Sequence, residues 1–547
     1  MPTIDCRHPA GPYGTVDRRH PAGPYKRRLW LLLVALVGGL ALTLIVVTVL
    51  PGQAEASSST QMDRPRTVAE ENDGEPPSAV RTPPVSVASA QEDHYPLCRY
   101  GVTVGGDVTA YDVANLNVGW YLDWSTAVSP AQPGGAEYVQ LVHLEQVGQG
   151  YAFHPTTSTL YTVADANGGA IWLIGNEQDR RVYQNDLEPE IYARAYHHLH
   201  GVIKGRDPTA QIAIGGVVQP TPLRFQYLDL VWDAYWQEYG TTMPVDVWNV
   251  HSFILREISP SHPQALEPGY EVWGAGIPRG DVFDAVMEGI LYEYSQIDDL
   301  TIFQQRMIAF RQWMADKGER DKPLIVTEYG VLFPEDYYDE HGRQFSAERV
   351  GAFIQGTFDF FRTYTDASIG YPADDNRLVQ RWAWFSVDGD PWLWGGTLFD
   401  PDTHTLRTVG EYFRDYTNAL TPTVDLVAAR ASGDPGVMVY GGHPVTGTLE
   451  ALVSNAGNVA TTGPITVTFY DAGDFSPIGA PQAITQSLGG CADYTVVTVT
   501  WESLDVGRHA FSVQVQTDDA DVNPANNTAE GALLVATSQS LLPLVMR

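Results

Sequence analysis

Two stretches of this sequence run apolar and then stop on a glutamate: IWLIGNEQD (Ile171–Asp179) ends at Glu177, and PLIVTEYG (Pro323–Gly330) ends at Glu328. A carboxylate at the mouth of a buried strand is partly withdrawn from water, so its neighbours decide whether it serves as acid, base or nucleophile. Two such groups held about 5–5.5 Å apart can cleave an acetal, one as nucleophile and the other as acid and then base. In that scheme one carboxyl is expected to carry a proton near neutral pH, raised by apolar surroundings and an anionic partner, while the other stays charged. Taken singly, each is more simply a surface or salt-bridged strand end; as a pair they point to catalysis.

Further side chains fall where such a site needs them. Asn176 precedes the first glutamate and suits a sugar 2-hydroxyl, its alternative role being a turn cap. His251, closing VWNVHSF, suits contact with sugar or support of the nucleophile, a core histidine bonded to backbone being the alternative. Sugar C–H faces stack on aromatic rings, and Tyr121, Trp124, Tyr329 and Trp384 occupy strand ends, with Trp392 and Trp394 in the loop after the last. Each alone is as consistent with core packing.

These residues must be positioned by alternating elements. Eight short apolar runs, YGVTV, LNVGWYL, EYVQLVHL, AIWLIG, QIAIGG, DVWNVHSF, PLIVTEYG and QRWAWFSV, read as strands. Helical patterns span Pro189–Lys204, Leu223–Tyr239, Ile302–Lys317, Ala347–Tyr364 and Thr408–Tyr416. The alternation predicts a parallel α/β fold, a (β/α)8 barrel over residues 95–420, whose strands all open their carboxyl ends onto one face. A doubly wound open sheet is the competing fold; no GxGxxG follows the first strand to support it. The long segment Ile254–Asp299, with Tyr270, Trp273, Tyr292 and Tyr294, reads as an insertion shaping the cleft, and Gly274, Gly276 and Pro278 as a bend within it. From residue 421 to 547 the pattern changes to period two, as in TLEALVSN and HAFSVQVQT, predicting an immunoglobulin-like β-sandwich.

On Asn176-Glu177 and Glu328, residues 98–418 resemble the clan A retaining glycoside hydrolases. That resemblance implies Glu177 as acid/base at the end of strand four, Glu328 as nucleophile at the end of strand seven, and Trp384 as a platform under the reacting sugar. GNEQD, TEYG and WAWF look most like the small-barrel endo-β-1,3-glucanases, whose acid/base motif reads NEPD where this chain has Gln178. SNAGN and NPANNTAE resemble the cell-surface modules called CARDB. The implied activity is hydrolysis of polysaccharide β-glycosidic bonds, with no cofactor and no metal. A transglycosylase and a non-catalytic carbohydrate-binding or adhesion protein are the rivals.

The net charge of -33 disfavours nucleic acid and anionic lipid as partners. Leu29 to Leu50 is apolar enough to span a bilayer and follows Arg18, Arg19, Lys26, Arg27 and Arg28. It reads as a signal-anchor with residues 1–28 cytoplasmic, a cleaved signal peptide being the alternative; export holds for both. Residues 51–94, rich in Pro and Ser, read as a disordered linker. Cys98 and Cys491 fall outside the membrane, where a disulfide is allowed, though two buried thiols are the expectation. Two patterns read as decoys. HHLH (His197–His200) lacks the glutamate of a zinc helix, and Asp519, Asp521, Asn523 and Glu530 mimic a calcium loop with Pro524 where glycine is needed.

Overall fold

The computed structural model describes residues 95–182, 184–266, 274–389 and 394–537. The chain divides into two units, Met1–Gln91 and Glu92–Arg547, and the first lies outside the described residues, as do the expected anchor, the linker, Tyr270, Trp273, Trp392 and the terminal LLPLVMR. Among the described residues no helix is long and apolar enough to cross a membrane.

The first part of the second unit is mixed α/β. Its strands are β1 (Leu97–Thr103), β2 (Val118–Leu122), β3 (Glu137–Tyr138), β4 (Gln140–Val147), β5 (Gly150–His154), β6 (Ile171–Ile174), β7 (Gln211–Ile214), β8 (Trp248–His251), β9 (Leu324–Tyr329) and β10 (Arg381–Trp384). One sheet runs β3-β2-β1-β10-β9-β8 and another β5-β4-β6-β7. Pairing is parallel throughout except between β4 and β5. Parallel bridges Ala213–Val247 and Val217–Val250 connect the β7 and β8 regions, and Val139 N donates to Tyr121 O where β3 runs into β4.

Side chains along these strands alternate between two packed layers, as the period of two requires. Trp120, Leu122, Val139, Leu141, Ile171, Leu173, Ala213, Val247, Ile325 and Ala383 form a cluster drawn from the strands and the residues that adjoin them. The opposite faces, including Trp172, Ile174, Trp248, Val326 and Trp382, pack on the helices. Both faces being covered explains why these strands read as unbroken apolar runs. The helices are Thr157–Ala166, Pro189–Lys204, Pro222–Tyr239, Leu300–Asp316, Ala347–Thr363 and Thr408–Asn418. Pro189–Lys204 begins with proline, carries Glu190 in its first turn and Lys204 in its last, and buries the stripe Ile191, Tyr192, Ala195, Tyr196, Leu199 and Ile203. The histidines on it are structural: His197 stacks on Tyr239 with ring centres 3.7 Å apart, and His198 bonds the Tyr151 hydroxyl at 2.9 Å.

The second part carries two antiparallel sheets with their own core, which includes Leu426, Leu449, Val453, Val467, Phe469, Phe511, Val513 and Leu533. Its strands are β11 (Leu426–Asp434), β12 (Val437–Val439), β13 (Val445–Asn455), β14 (Ile465–Asp471), β15 (Gln482–Ile484), β16 (Asp493–Leu504), β17 (Gly507–Thr517) and β18 (Thr528–Ala536), ordered β11-β13-β16 and β12-β18-β17-β14-β15. β12 and β18 alone pair in parallel. The calcium-like residues serve the framework: Asp519 accepts from Thr462 N and Gly463 N, Asp521 accepts from Leu426 N and Asn527 Nδ2, and Glu530 lies within β18 opposite Ser512.

The expectation of two free thiols is overturned. Cys98, at the start of β1, is disulfide-bonded to Cys491, just before β16, with Cα atoms 6.0 Å apart. Next to the bond, Arg99 forks onto Asp374 at 2.6 and 2.8 Å and donates to Ala456 O at 2.7 Å, while Ser454 Oγ donates to Ala373 O. A cleft of about 790 Å³ lies alongside, lined by residues that include Glu137, Tyr138, Arg381, Cys491 and Tyr494. It stands at the amino ends of the strands, away from both glutamates.

Candidate active site

Glu177 follows β6 and Glu328 lies near the carboxyl end of β9, and local backbone geometry turns both inward. Gly175 adopts φ +93° and Glu177 itself φ +43°, a left-handed conformation that costs a non-glycine residue on the order of 1 kcal/mol or more. Glu177 N donates to Gly216 O at 3.0 Å. In β9 the pairing register slips by one residue against both β8 and β10, so that His251 faces Glu328 while Trp384 faces Tyr329. A bulge of this kind re-aims a side chain, and here it brings Glu328 in and sends Tyr329 out.

The two carboxylates meet at His251. Its Nδ1 is 3.2 Å from Glu177 Oε1, its Nε2 is 3.6 Å from Glu328 Oε1, and donor atoms of all three lie within 4.8 Å of one another. Trp124 donates its indole N–H to Glu328 Oε1 at 2.6 Å. Arg180 Nη1 donates to Glu177 Oε2 at 3.1 Å and Nη2 to Gly274 O at 2.8 Å. Glu177 is 2 % exposed, Glu328 5 % and His251 1 %. A Cβ at Gly216 would collide with the His251 ring, which explains a glycine there.

The electrostatics reverse the expected order of the pair. Burial pushes Glu328 up to about 7, reinforced by the Glu177 charge and opposed by His251 and Trp124. Burial acts on Glu177 in the same sense, but Arg180 and His251 outweigh it and hold that carboxyl below the usual range. Burial would lower His251; its two carboxylate neighbours raise it instead. The resting protein therefore favours an anionic Glu177, contrary to the sequence expectation, because Arg180 stands against it. The donor set also bears on metal binding. Glu177, His251 and Glu328 are the one group among the described residues close enough to share an ion, but guanidinium and indole N–H groups already bond both carboxylates, and no metal is assigned.

The remaining expected residues divide. Trp124 is at the site. Asn176 is adjacent and 4 % exposed, its amide donating to Gln184 Oε1 at 3.3 Å. Tyr329 and Trp384 are corrections: both are fully buried in the helix-facing core, their rings 5.2 Å apart, with Trp384 bonded to Gly396 O and Tyr329 packed on Phe303 and Phe361. Tyr121 also packs outward, bonding Ala131 O and meeting Tyr138 edge-on. One residue beyond Trp384, Phe385 takes the inward place, 5.8 Å from Trp124 and 5.7 Å from Phe253. It joins an apolar group of Val218, Phe253, Leu255, Ala275, Leu332 and Trp394.

Sequence reasoning missed Arg180 and the salt-bridged group behind the site. Arg224 Nε bonds Asp179 at 2.9 Å and its Nη1 bonds Glu257 at 2.7 Å, all three fully buried, and Glu257 accepts from Ile290 N. This group fastens the 254–299 insertion to the turn that carries Glu177. The clue was present in NEQDR, which sets a base three residues after one acid and directly after another within one short turn. Gln178, the departure from NEPD, bonds Gly215 O and occupies space that a side chain at Gly215 would fill.

No family model and no curated protein matches this chain. Among solved structures, a CARDB domain from Pyrococcus furiosus is 20 % identical, covering 22 % of this chain and 100 % of that one, with a TM-score of 0.18. A monomeric β-xylosidase from Caulobacter crescentus is 11 % identical over 75 % of this chain and 97 % of its own, with a TM-score of 0.38. A glucosidase from Croceicoccus marinus is 12 % identical over 75 % and 94 %, with a TM-score of 0.37.

Proposed function

We propose that this chain is a retaining β-glycosidase of the clan A type, acting on oligo- or polysaccharides on a closed (β/α)8 barrel, with an endo-β-glucan as the first substrate class. The observation that carries the reading is the convergence of Glu177 and Glu328, from β6 and β9, with donor atoms within 4.8 Å across His251. That separation suits a direct attack by one carboxylate, whereas an inverting pair stands roughly 6.5–9.5 Å apart to admit a water. The bridges between the β7 and β8 regions support closure of the strands into one ring.

In this reading Glu328 attacks the anomeric carbon as the glycosidic C–O bond breaks, and Glu177 gives its proton to the departing oxygen. The negative charge of Glu328 is then consumed in the glycosyl ester. Glu177, now a carboxylate, takes a proton from water, whose oxygen attacks the anomeric carbon and restores Glu328. Trp124 and His251 bear on the Glu328 oxygen where charge is lost and regained.

We also propose that the enzyme is exported and held at the outer face of the membrane by Leu29–Leu50. The cations before that run support this orientation, and the Cys98–Cys491 bond suits an oxidising compartment. The test is a panel of β-1,3-, β-1,4- and β-1,6-glucans and mannan, with the product anomer followed by NMR. Retention is expected; inversion, or no cleavage of any glycoside, rejects the reading.

A further inference from the structure

The glutamate cast as acid is, in the resting protein, bonded to a cation. Arg180 lies three residues after Glu177 on the same turn, closed by Arg180 N donating to Glu177 O at 3.0 Å. Its two terminal nitrogens reach in different directions, one to Glu177 Oε2 and the other to Gly274 O. Gly274 belongs to the 254–299 insertion, where it bridges Arg256, and Ala275 N donates to Arg256 O at 2.9 Å. One guanidinium thus ties the carboxylate to the insertion, with both ionic side chains nearly closed to water at 9 % and 2 % exposure.

A guanidinium held on Oε2 favours the anion and so opposes the proton that Glu177 must carry on its other oxygen, Oε1, for a leaving group. The charged groups facing Glu177 are Arg180 and His251, which favour its anion, and Glu328 and Asp179, which oppose it. The charge of Arg180 makes the largest single contribution in favour of the anion, and Arg180 lies in the turn after β6 whereas His251 ends β8.

Building on the glycosidase reading, we infer that Arg180 is a positioning residue that clamps Glu177 to Gly274 in the resting protein, and that opening this clamp raises the proton affinity of Glu177 for bond cleavage. On opening, the proton on His251 Nδ1 passes to Glu177 Oε1, the atom 3.2 Å away. His251 becomes neutral, with its Nε2–H directed to Glu328, which is a carboxylate above about pH 7. The net proton count of the three groups is unchanged, and the pair stands in the order that double displacement needs.

The experiment has two arms. The first needs no activity: infrared titration of the carboxyl C=O band of Glu177, assigned by its loss in Glu177→Gln, in the Glu328→Gln protein with and without Arg180→Gln. Removing the guanidinium should move the midpoint up by about one pH unit or more, and Arg180→Lys should restore most of the shift. An unchanged midpoint overturns the clamp. Arg180→Met replaces Arg180→Gln if the latter does not fold. The second arm is the pH profile of kcat/KM with a glycoside that the wild type cleaves: in Arg180→Gln the basic limb, set by loss of the Glu177 proton, should shift upward by a similar amount, and an unmoved limb counts against the clamp. If no glycoside is cleaved, the glycosidase reading fails while the infrared result still decides whether Arg180 governs Glu177.

Discussion

Trp124 places its indole N–H 2.6 Å from Glu328 Oε1, joining the end of β2 to the end of β9 across the site. An N–H aimed at a carboxylate favours the anion, and this one opposes the burial that raises Glu328. Trp124→Phe keeps the ring and removes the donor. The expected outcome is a fall in kcat of about tenfold to a hundredfold with the acid limb of the pH profile moved upward. An unmoved acid limb would show that the bond does not tune Glu328.

Glu177→Gln and Glu328→Gln should each reduce turnover by about a thousandfold or more, and prolonged dialysis against a chelator should leave the wild type unaffected. The roles separate with an activated aryl glycoside and azide. Glu177→Ala should yield the β-glycosyl azide, because azide attacks the glycosyl-enzyme without needing a base, and Glu328→Ala should yield the α-product. The opposite assignment of anomers would exchange the two roles.

Stability should depend on pH through Glu328. Its folded-state pKa of about 7 lies above the ordinary carboxyl value, so the native protein holds a proton that the unfolded chain has released. Stability from this group is full below the unfolded pKa and declines as pH rises through about 7. Glu328→Gln removes the buried charge and should raise Tm at pH 8 relative to pH 5, by an amount corresponding to roughly 2 kcal/mol. Equal changes at both pH values would contradict the raised pKa.

Trp384 and Phe385 are neighbours with opposite duties. Trp384→Ala should act on the core, costing about 3–5 kcal/mol and lowering Tm. Phe385→Ala should spare Tm comparatively and raise KM, since its ring faces Trp124 and Phe253. A KM effect confined to Trp384→Ala would return the stacking role to that residue.

The strands and helices were legible because buried runs and amphipathic stripes leave direct traces: Pro189–Lys204 reads from sequence with both its ends. The pair Glu177 and Glu328 was legible for the same reason, each closing an apolar run. What escaped depends on one-residue shifts. The slip in β9 decides that Tyr329 turns to the helices, and the corresponding shift hands the inward place from Trp384 to Phe385; neither is encoded in polarity, since all are aromatic. Arg180 escaped because its second partner, Gly274, reaches the Glu177 turn only through the fold. The hairpin arm β5 and the helix Thr157–Ala166 were missed because the former is exposed on alternate residues and the latter buries only Leu160, Val163 and Ala164.

The cystine between Cys98 and Cys491 fixes the sandwich to the end of the strands opposite the glutamates. Cutting it with Cys98→Ser should lower Tm by an amount equivalent to about 2–4 kcal/mol and leave kcat for a soluble substrate unchanged. With the bond placed there, the strand ends that carry the two glutamates open on the side away from the sandwich, so that whatever the sandwich meets, it meets with its back to that pair.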